Sequence, residues 1–208
     1  LDGDADYYLV ATIEKKIYLV TVGTEGLKRN ALKTIDTTRS TCELILDKVA
    51  AELLTEDPAV YDRTVDMGRV MQAADTLGAA QCMLDQAVIY AGQREQFNRV
   101  IASFQAVKHM CADMLANLEP CRSLVWYAGY AMDDLPSEAR MLACHTNAHL
   151  SEVGRAVAKT STEVHGGMGF TDLVGLHYWF KRIGANRQLL GSPELVRQEA
   201  ASIQGLGA

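Results

Sequence analysis

Three groups of residues in this 208-residue chain have types and spacings that could carry chemistry. The first is His145, His149 and Glu152. Set four and then three residues apart, they fall on one face of a helix and could ligate a metal. A di-iron bundle needs Glu-x-x-His pairs on two helices, however, and no such pair occurs in the sequence. The expectation is no metal, with both histidines as polar core or interface residues.

The second group is Tyr90-Ala91-Gly92-Gln93-Arg94-Glu95-Gln96-Phe97, which leads into Phe104-Gln105-Ala106-Val107-Lys108-His109. Arg94 and Gln96 are expected at the start of a helix, where free N–H groups and the dipole attract anions. Gln105 follows two turns later on the face of Phe97 and Ile101. An arginine, an amide and an aromatic grouped this way suit a diphosphate-bearing cofactor, though a solvated interhelical loop would read the same. The third group is Glu163-Val164-His165-Gly166-Gly167-Met168-Gly169-Phe170. Its glycines can end a helix through left-handed turns, or let a ligand press against bare backbone. No strand precedes them, so they are not a dinucleotide fingerprint.

These groups must be held by longer elements. Residues 58 to 92 repeat apolar positions at three and four, from Met67 through Val88, which predicts a helix of nearly ten turns. A second stripe runs from Ile101 to Met132. A third helix is expected from Ser137 and a fourth over 173–190. A short last helix has Ser192 as its cap and Pro193 in its first turn. Before them, Tyr7–Ala11, Ile17–Val22 and Thr41–Leu46 read as strands, with a turn at Glu14-Lys15-Lys16. The expected architecture is mainly α and α+β overall. A partial β domain over 1–55 precedes an up-down-up-down four-helix bundle over 56–208.

Composition narrows the function classes. The chain is 49% hydrophobic and 22% charged with a net charge of -6, which excludes disorder and leaves no basic stripe for nucleic acid. No apolar run approaches a membrane span. Five cysteines without a CxxC argue against a disulfide framework or zinc ribbon and for a reducing, cytoplasmic setting. The chain begins at Leu1, and the front of a longer protein is expected to be missing.

In order and spacing, the second and third groups resemble the C-terminal portion of the acyl-CoA dehydrogenase family. That family reads Tyr-Ala-x-x-Arg-x-Gln-Phe-Gly-x-x-Ile-x-x-Phe-Gln, matched by Tyr90 to Gln105 with Asn98 in place of the glycine. Its later Gly-Gly-x-Gly-Phe/Tyr segment is matched by Gly166 to Phe170, and Arg69 matches an arginine of the first bundle helix.

The resemblance implies FAD, shared across a subunit interface. Positions matching Arg94, Gln96, Phe97 and Gln105 would reach the diphosphate and adenosine half of a neighbour's FAD, and those matching Glu163, Gly166 and Gly167 another part of it. The family usually has Gln where this chain has Glu163, and a carboxylate there would repel a diphosphate. The implied reaction is α,β-dehydrogenation of an acyl-CoA thioester, with a Glu as base. The two positions where the family places that Glu are Leu190 and Gly68 here, so no catalytic residue is assigned; Glu194 and Asp172 are nearby substitutes in sequence. The segment Gly169 to Arg182 resembles the branch from bacterial steroid degradation that pairs two different subunits, one bearing the base. Implied partners are an acyl-CoA and a homo- or hetero-oligomer, a dimer of dimers, with a Glu-bearing subunit. The competing expectation is a structural bundle subunit that binds no flavin.

Overall fold

The computed structural model describes residues 4–206. The chain divides into two compact units, Leu1–Val65 and Asp66–Ala208.

In the first unit, β1 (Tyr7–Ala11), β2 (Ile17–Thr21) and β5 (Glu52–Thr55) form an antiparallel sheet in the order β1-β2-β5. β3 (Leu27–Ala31) and β4 (Cys42–Leu46) pair separately as a hairpin, with Leu27 opposite Leu46 and Ala31 opposite Cys42. The β1–β2 turn falls on the expected charged residues. Thr12 and Lys16 close it with a 2.9 Å backbone bond, and Lys15 takes a φ of 64°. Ile17 and Val20 supply the buried apolar side chains of this unit. β3 and β5 were not legible. Leu-Lys-Arg-Asn-Ala has no β-branched residue and one half-buried position, and it is a strand because β4 pairs with it.

The second unit is the bundle. α1 (Pro58–Gln93), α2 (Gln105–Asp134), α3 (Pro136–His165), α4 (Leu176–Asn186) and α5 (Pro193–Ile203) follow in order. Two hydrogen bonds fix the direction of α3 against α1. Asn147 Nδ2 donates to the Arg69 carbonyl and Ser161 Oγ to the Met83 carbonyl, and both pairs are 78 residues apart. A constant offset means that α1 and α3 run the same way in fixed register. α4 runs against α1: Arg182 and Asn186 bond Asp75, while further along Leu190 meets Arg69. α1 thus rises and α4 descends. The core between them is alanine-rich, with Met83, Leu118, Leu150, Leu176 and Ile183 as its largest fully buried side chains. Small residues let the rods approach closely, and Gly154 is the tightest point: a Cβ there would lie 2.5 Å from Thr76 Cγ2.

Three boundaries differ from expectation. A two-stranded hairpin, β6 (Glu95–Gln96) with β7 (Arg99–Val100), and a 3-10 turn at Ile101–Ser103 stand between α1 and α2. Arg94 and Gln96 therefore do not begin a helix. The fourth helix starts at Leu176, because Gly175 takes a left-handed φ of 65° immediately before it, and it ends at Asn186. The glycine segment Gly166–Phe170 is itself a 3-10 turn.

Candidate functional site

One cleft of about 440 Å³ lies at the end of the bundle where α1 and α3 both terminate. Its walls include Tyr90, Arg94, Gln96, His165, Gly166 and Gly167. Four of the seven candidate cofactor residues, Arg94, Gln96, Gly166 and Gly167, thus meet in one place from segments some seventy residues apart.

The sequence makes this corner through its turns. Phe97 and Asn98 have φ of 54° and 61°, the two successive left-handed residues that close a tight hairpin between Gln96 and Arg99. Asn tolerates that conformation, which is why it can stand where the related pattern has glycine. The Arg94 N–H donates to the Tyr90 carbonyl at 2.8 Å and so extends α1 by one bond. Arg94 is therefore a cation at a helix C-terminus, which the dipole favours. The attraction for an anion comes from its guanidinium and not from a helix N-terminus. That guanidinium has no hydrogen bond or ion pair among the described residues. On the opposite wall, Gly166 has φ 57°, and a Cβ at Gly166 or Gly167 would meet nothing within 4 Å. The backbone there is bare and open to a ligand.

The other three candidates lie elsewhere. Phe97 is 86% exposed and packs edge-on against Phe104, with ring centroids 6.1 Å apart. Gln105 is exposed as the first residue of α2. Glu163 borders a separate groove with Met110 and Asn117, and its nearest cation is Lys159 at 3.8 Å. The carboxylate is thereby kept away from the Arg94 cleft.

Sequence reasoning missed two residues of the cleft, Tyr90 and His165. Their rings stack with centroids 4.6 Å apart. His165 is 4% exposed, and its Nδ1 lies 2.8 Å from the Ser161 carbonyl. The signal was available, since Tyr90 opens the second group and His165 stands inside the third, but neither was assigned a role there.

Gly68 and Leu190, the two positions where the resemblance would place a base, form a second corner. A Cβ on Gly68 would lie 2.5 Å from Leu190 Cδ1, so the leucine side chain fills the space beside the glycine. Leu190 itself has φ 55°. Behind it Arg69 is buried, donating from Nε to the Leu190 carbonyl at 3.1 Å, from Nη2 to Glu199 at 2.8 Å and from Nη1 toward Asp66 and Cys144 Sγ. Burial pushes the Glu199 carboxyl up, but the Arg69 and Arg140 guanidinium groups pull harder and hold it below the usual carboxylate range. Burial pushes the Cys144 thiol up to about 11 against the pull of Arg69. Asp66, Cys144 and Glu199 offer ligand atoms within 4.8 Å of one another, but the guanidinium already occupies their centre. A carboxylate so committed to arginine is a poor base. Glu194 faces Arg187, and Asp172 is almost fully exposed beside His177.

His145 and His149 are both exposed, and Glu152 pairs with Arg187 at 2.5 Å, so these three do not form a common site. No helix among the described residues is long and apolar enough to cross a membrane.

Comparison with known proteins follows the same lines. Residues 59–203 match the model of the acyl-CoA dehydrogenase C-terminal domain. Over 203 residues the chain is 32% identical to the acyl-CoA dehydrogenase IpdE2 of Mycobacterium tuberculosis, covering 96% of this chain and 60% of that protein. Among solved structures, a steroid acyl-CoA dehydrogenase variant, Tcur3481-Tcur3483, superposes with a TM-score of 0.84 at 27% identity over 96% of this chain and 54% of that one. The ChsE4-ChsE5 complex from Mycobacterium tuberculosis gives 0.84 at 25% identity over 98% and 57%. The chain therefore spans less than two thirds of the length of these relatives.

Proposed function

The chain belongs to the acyl-CoA dehydrogenase family, and from that premise we propose that it is a subunit that holds part of a shared FAD and relies on a partner for its base. The single observation that carries this reading is a distance. Gly68 and Arg94 are 26 residues apart on α1 and its one-bond extension, about 39 Å at 1.5 Å per residue. One dinucleotide does not span that length. The Arg94 cleft and the Gly68–Leu190 corner of one chain therefore serve different cofactors, and each must be completed by another protomer.

The residues present fit the diphosphate and adenosine portion of FAD. An unpaired guanidinium can fork onto phosphate oxygens, the Gln96 amide adds donors, and the open glycine backbone admits a flat ligand. Bound FAD would supply the hydride acceptor for α,β-dehydrogenation of an acyl-CoA. This chain would grip the far end of the cofactor. At its other corner it would offer the apolar Leu190 wall where a carboxylate is otherwise required. Leu190 can neither accept a proton nor repel an acyl chain, so the α proton must go to a group on another subunit. The relation to heteromeric steroid enzymes supports a partner of unlike sequence and an acyl-CoA with a steroid or fatty acyl group.

The test is reconstitution with a Glu-bearing partner subunit. The complex is expected to dehydrogenate an acyl-CoA. Glu→Gln at the partner's base should abolish turnover while leaving bound flavin in place, and this chain purified alone should show no turnover. Turnover by this chain alone would contradict the reading. A complex without flavin would favour the second reading, a structural bundle, for which the filled Leu190 corner is the specific support.

A further inference from the structure

α4 carries a glycine that its packing does not require. Gly184 lies in the interior of that helix, where glycine is a weaker helix former than alanine, and a Cβ there would meet nothing within 4 Å. The space it leaves belongs to a cavity of about 170 Å³ between α3 and α4. Buried Ala158 and Ile183 and the half-exposed Phe180 ring give this cavity its apolar surface, and Arg155, Arg187 and Gln188 give it donors. Positive charge is in excess around it. Glu152 and Glu194 face Arg187, and Glu152 also lies 3.9 Å from Arg197, so two carboxylates offset two of three guanidinium groups. Arg155 stands beside them exposed, with no hydrogen bond or ion pair among the described residues. Arg187 serves its carboxylates through Nη2 alone. Its Nε is enclosed, but Nη1 has no partner among the described residues and is not an enclosed atom, so Nη1 is open to a ligand.

We infer that this cavity binds a small carboxylate with an apolar body. The carboxylate sits between Arg155 and Arg187 Nη1, and the hydrocarbon lies on Phe180 over the open backbone of Gly184. Guanidinium groups match a planar carboxylate with paired donors. The apolar surface decides between anions. A phosphate would gain the cations and leave that surface wet, whereas a hydrocarbon covers it. The cavity is smaller than the roughly 300–1,000 Å³ of drug-sized sites, so the ligand is small. No residue of the Arg94 cleft lines it, and the site stands whether or not that cleft holds FAD.

The test is calorimetry on the assembled protein with hexanoate, acetate and hexan-1-ol as probes, apart from any turnover. Hexanoate is expected to bind at least about tenfold more tightly than acetate, which lacks the apolar body, and than hexan-1-ol, which lacks the charge. R155A should weaken hexanoate about tenfold, the lower range for a hydrogen bond to a charged group. R155K should recover part of that loss, because it keeps the charge and loses the fork. G184A puts a methyl inside the cavity. It should weaken hexanoate at least about fivefold while the protein melts at or above the wild-type midpoint, which separates a lost ligand from a lost fold. Hexanoate held instead at the Leu190 corner would ignore both substitutions. The inference is overturned if the wild-type assembly binds hexanoate no better than acetate or hexan-1-ol. It is equally overturned if R155A or G184A binds hexanoate as tightly as the wild type.

Discussion

Arg69 shows at the scale of single residues why the base corner is a structural site. Its guanidinium bonds Glu199, the Leu190 carbonyl and its own-helix neighbour Asp66, tying α1 to α5 through a charge that is almost wholly buried. Folded Glu199 releases its proton more readily than an unfolded glutamate, whose ordinary value is 4.5. The stabilisation is therefore complete above that value and lost as the pH falls through the lower folded one. Glu199→Gln is expected to lower the unfolding free energy by about 1–3 kcal/mol at pH 7, because it leaves Arg69 with only part of its countercharge. Denaturant melts of both proteins should converge as the pH falls below 4.5 and through the folded Glu199 value; a gap that keeps its full size at the acid end of the native range would contradict this. Glu199 was not legible from the chain, since it lies 130 residues from Arg69 and no local pattern joins them. Arg94, Gln96, Gly166 and Gly167 were legible because their order and spacing are those of a family. Glu163 belonged to the same string, but it faces the α2 groove, and spacing alone does not tell which side of a helix end reaches a cleft.

Among elements, the long helices were legible and the connections were not. Periodicity at three and four predicted α1 to within a residue, since Pro58 opens it and the apolar positions recur along most of its length, although Asp66, Arg69, Gln72 and Thr76 are buried on it as well. The segment after it could have been helix from Arg94 onward. Two left-handed residues instead fold it into a hairpin, and Arg99, whose guanidinium sits 4.0 Å over the Phe104 ring, braces that hairpin against α2. Close approach of the rods is the other property that a pattern of alanines only hints at. At Gly154 three helices converge, with Thr76 and Ile183 in the path of any added methyl. Gly154→Ala should therefore destabilise the bundle by about 1–2 kcal/mol, because overpacking outweighs the roughly 1 kcal/mol gained in helix propensity. Adding Thr76→Ser removes the obstructing Cγ2 and keeps the hydroxyl that Asn186 bonds, so it should restore most of the thermal midpoint. A Gly154→Ala protein that melts higher than the wild type would show that the helices are free to separate.

On the scale of the whole molecule, the two corners of α1 are held independently of each other. The Leu190 corner is closed by packing and by the Arg69 network, while the Arg94 cleft depends on neither. On the proposed reading, a chain built this way grips the cofactor and leaves proton abstraction to its partner. The helical bundle was readable from period, and the family resemblance from the order and spacing of the motifs at Tyr90 to Gln105 and Gly166 to Phe170. The sharing of a cofactor between protomers was implied by the motifs that carry the family resemblance, and the proposed reading adds to them the length of α1, which sets its two corners about 39 Å apart.

The most direct measurement is the FAD content and affinity of the reconstituted assembly, with and without Arg94→Ala in this chain. A guanidinium gripping a diphosphate contributes about 1.5–3 kcal/mol, so the variant should bind FAD roughly 10–100-fold more weakly and elute colourless, with its helical content and assembly unchanged. An Arg94→Ala assembly that stays yellow with undiminished affinity would contradict the account.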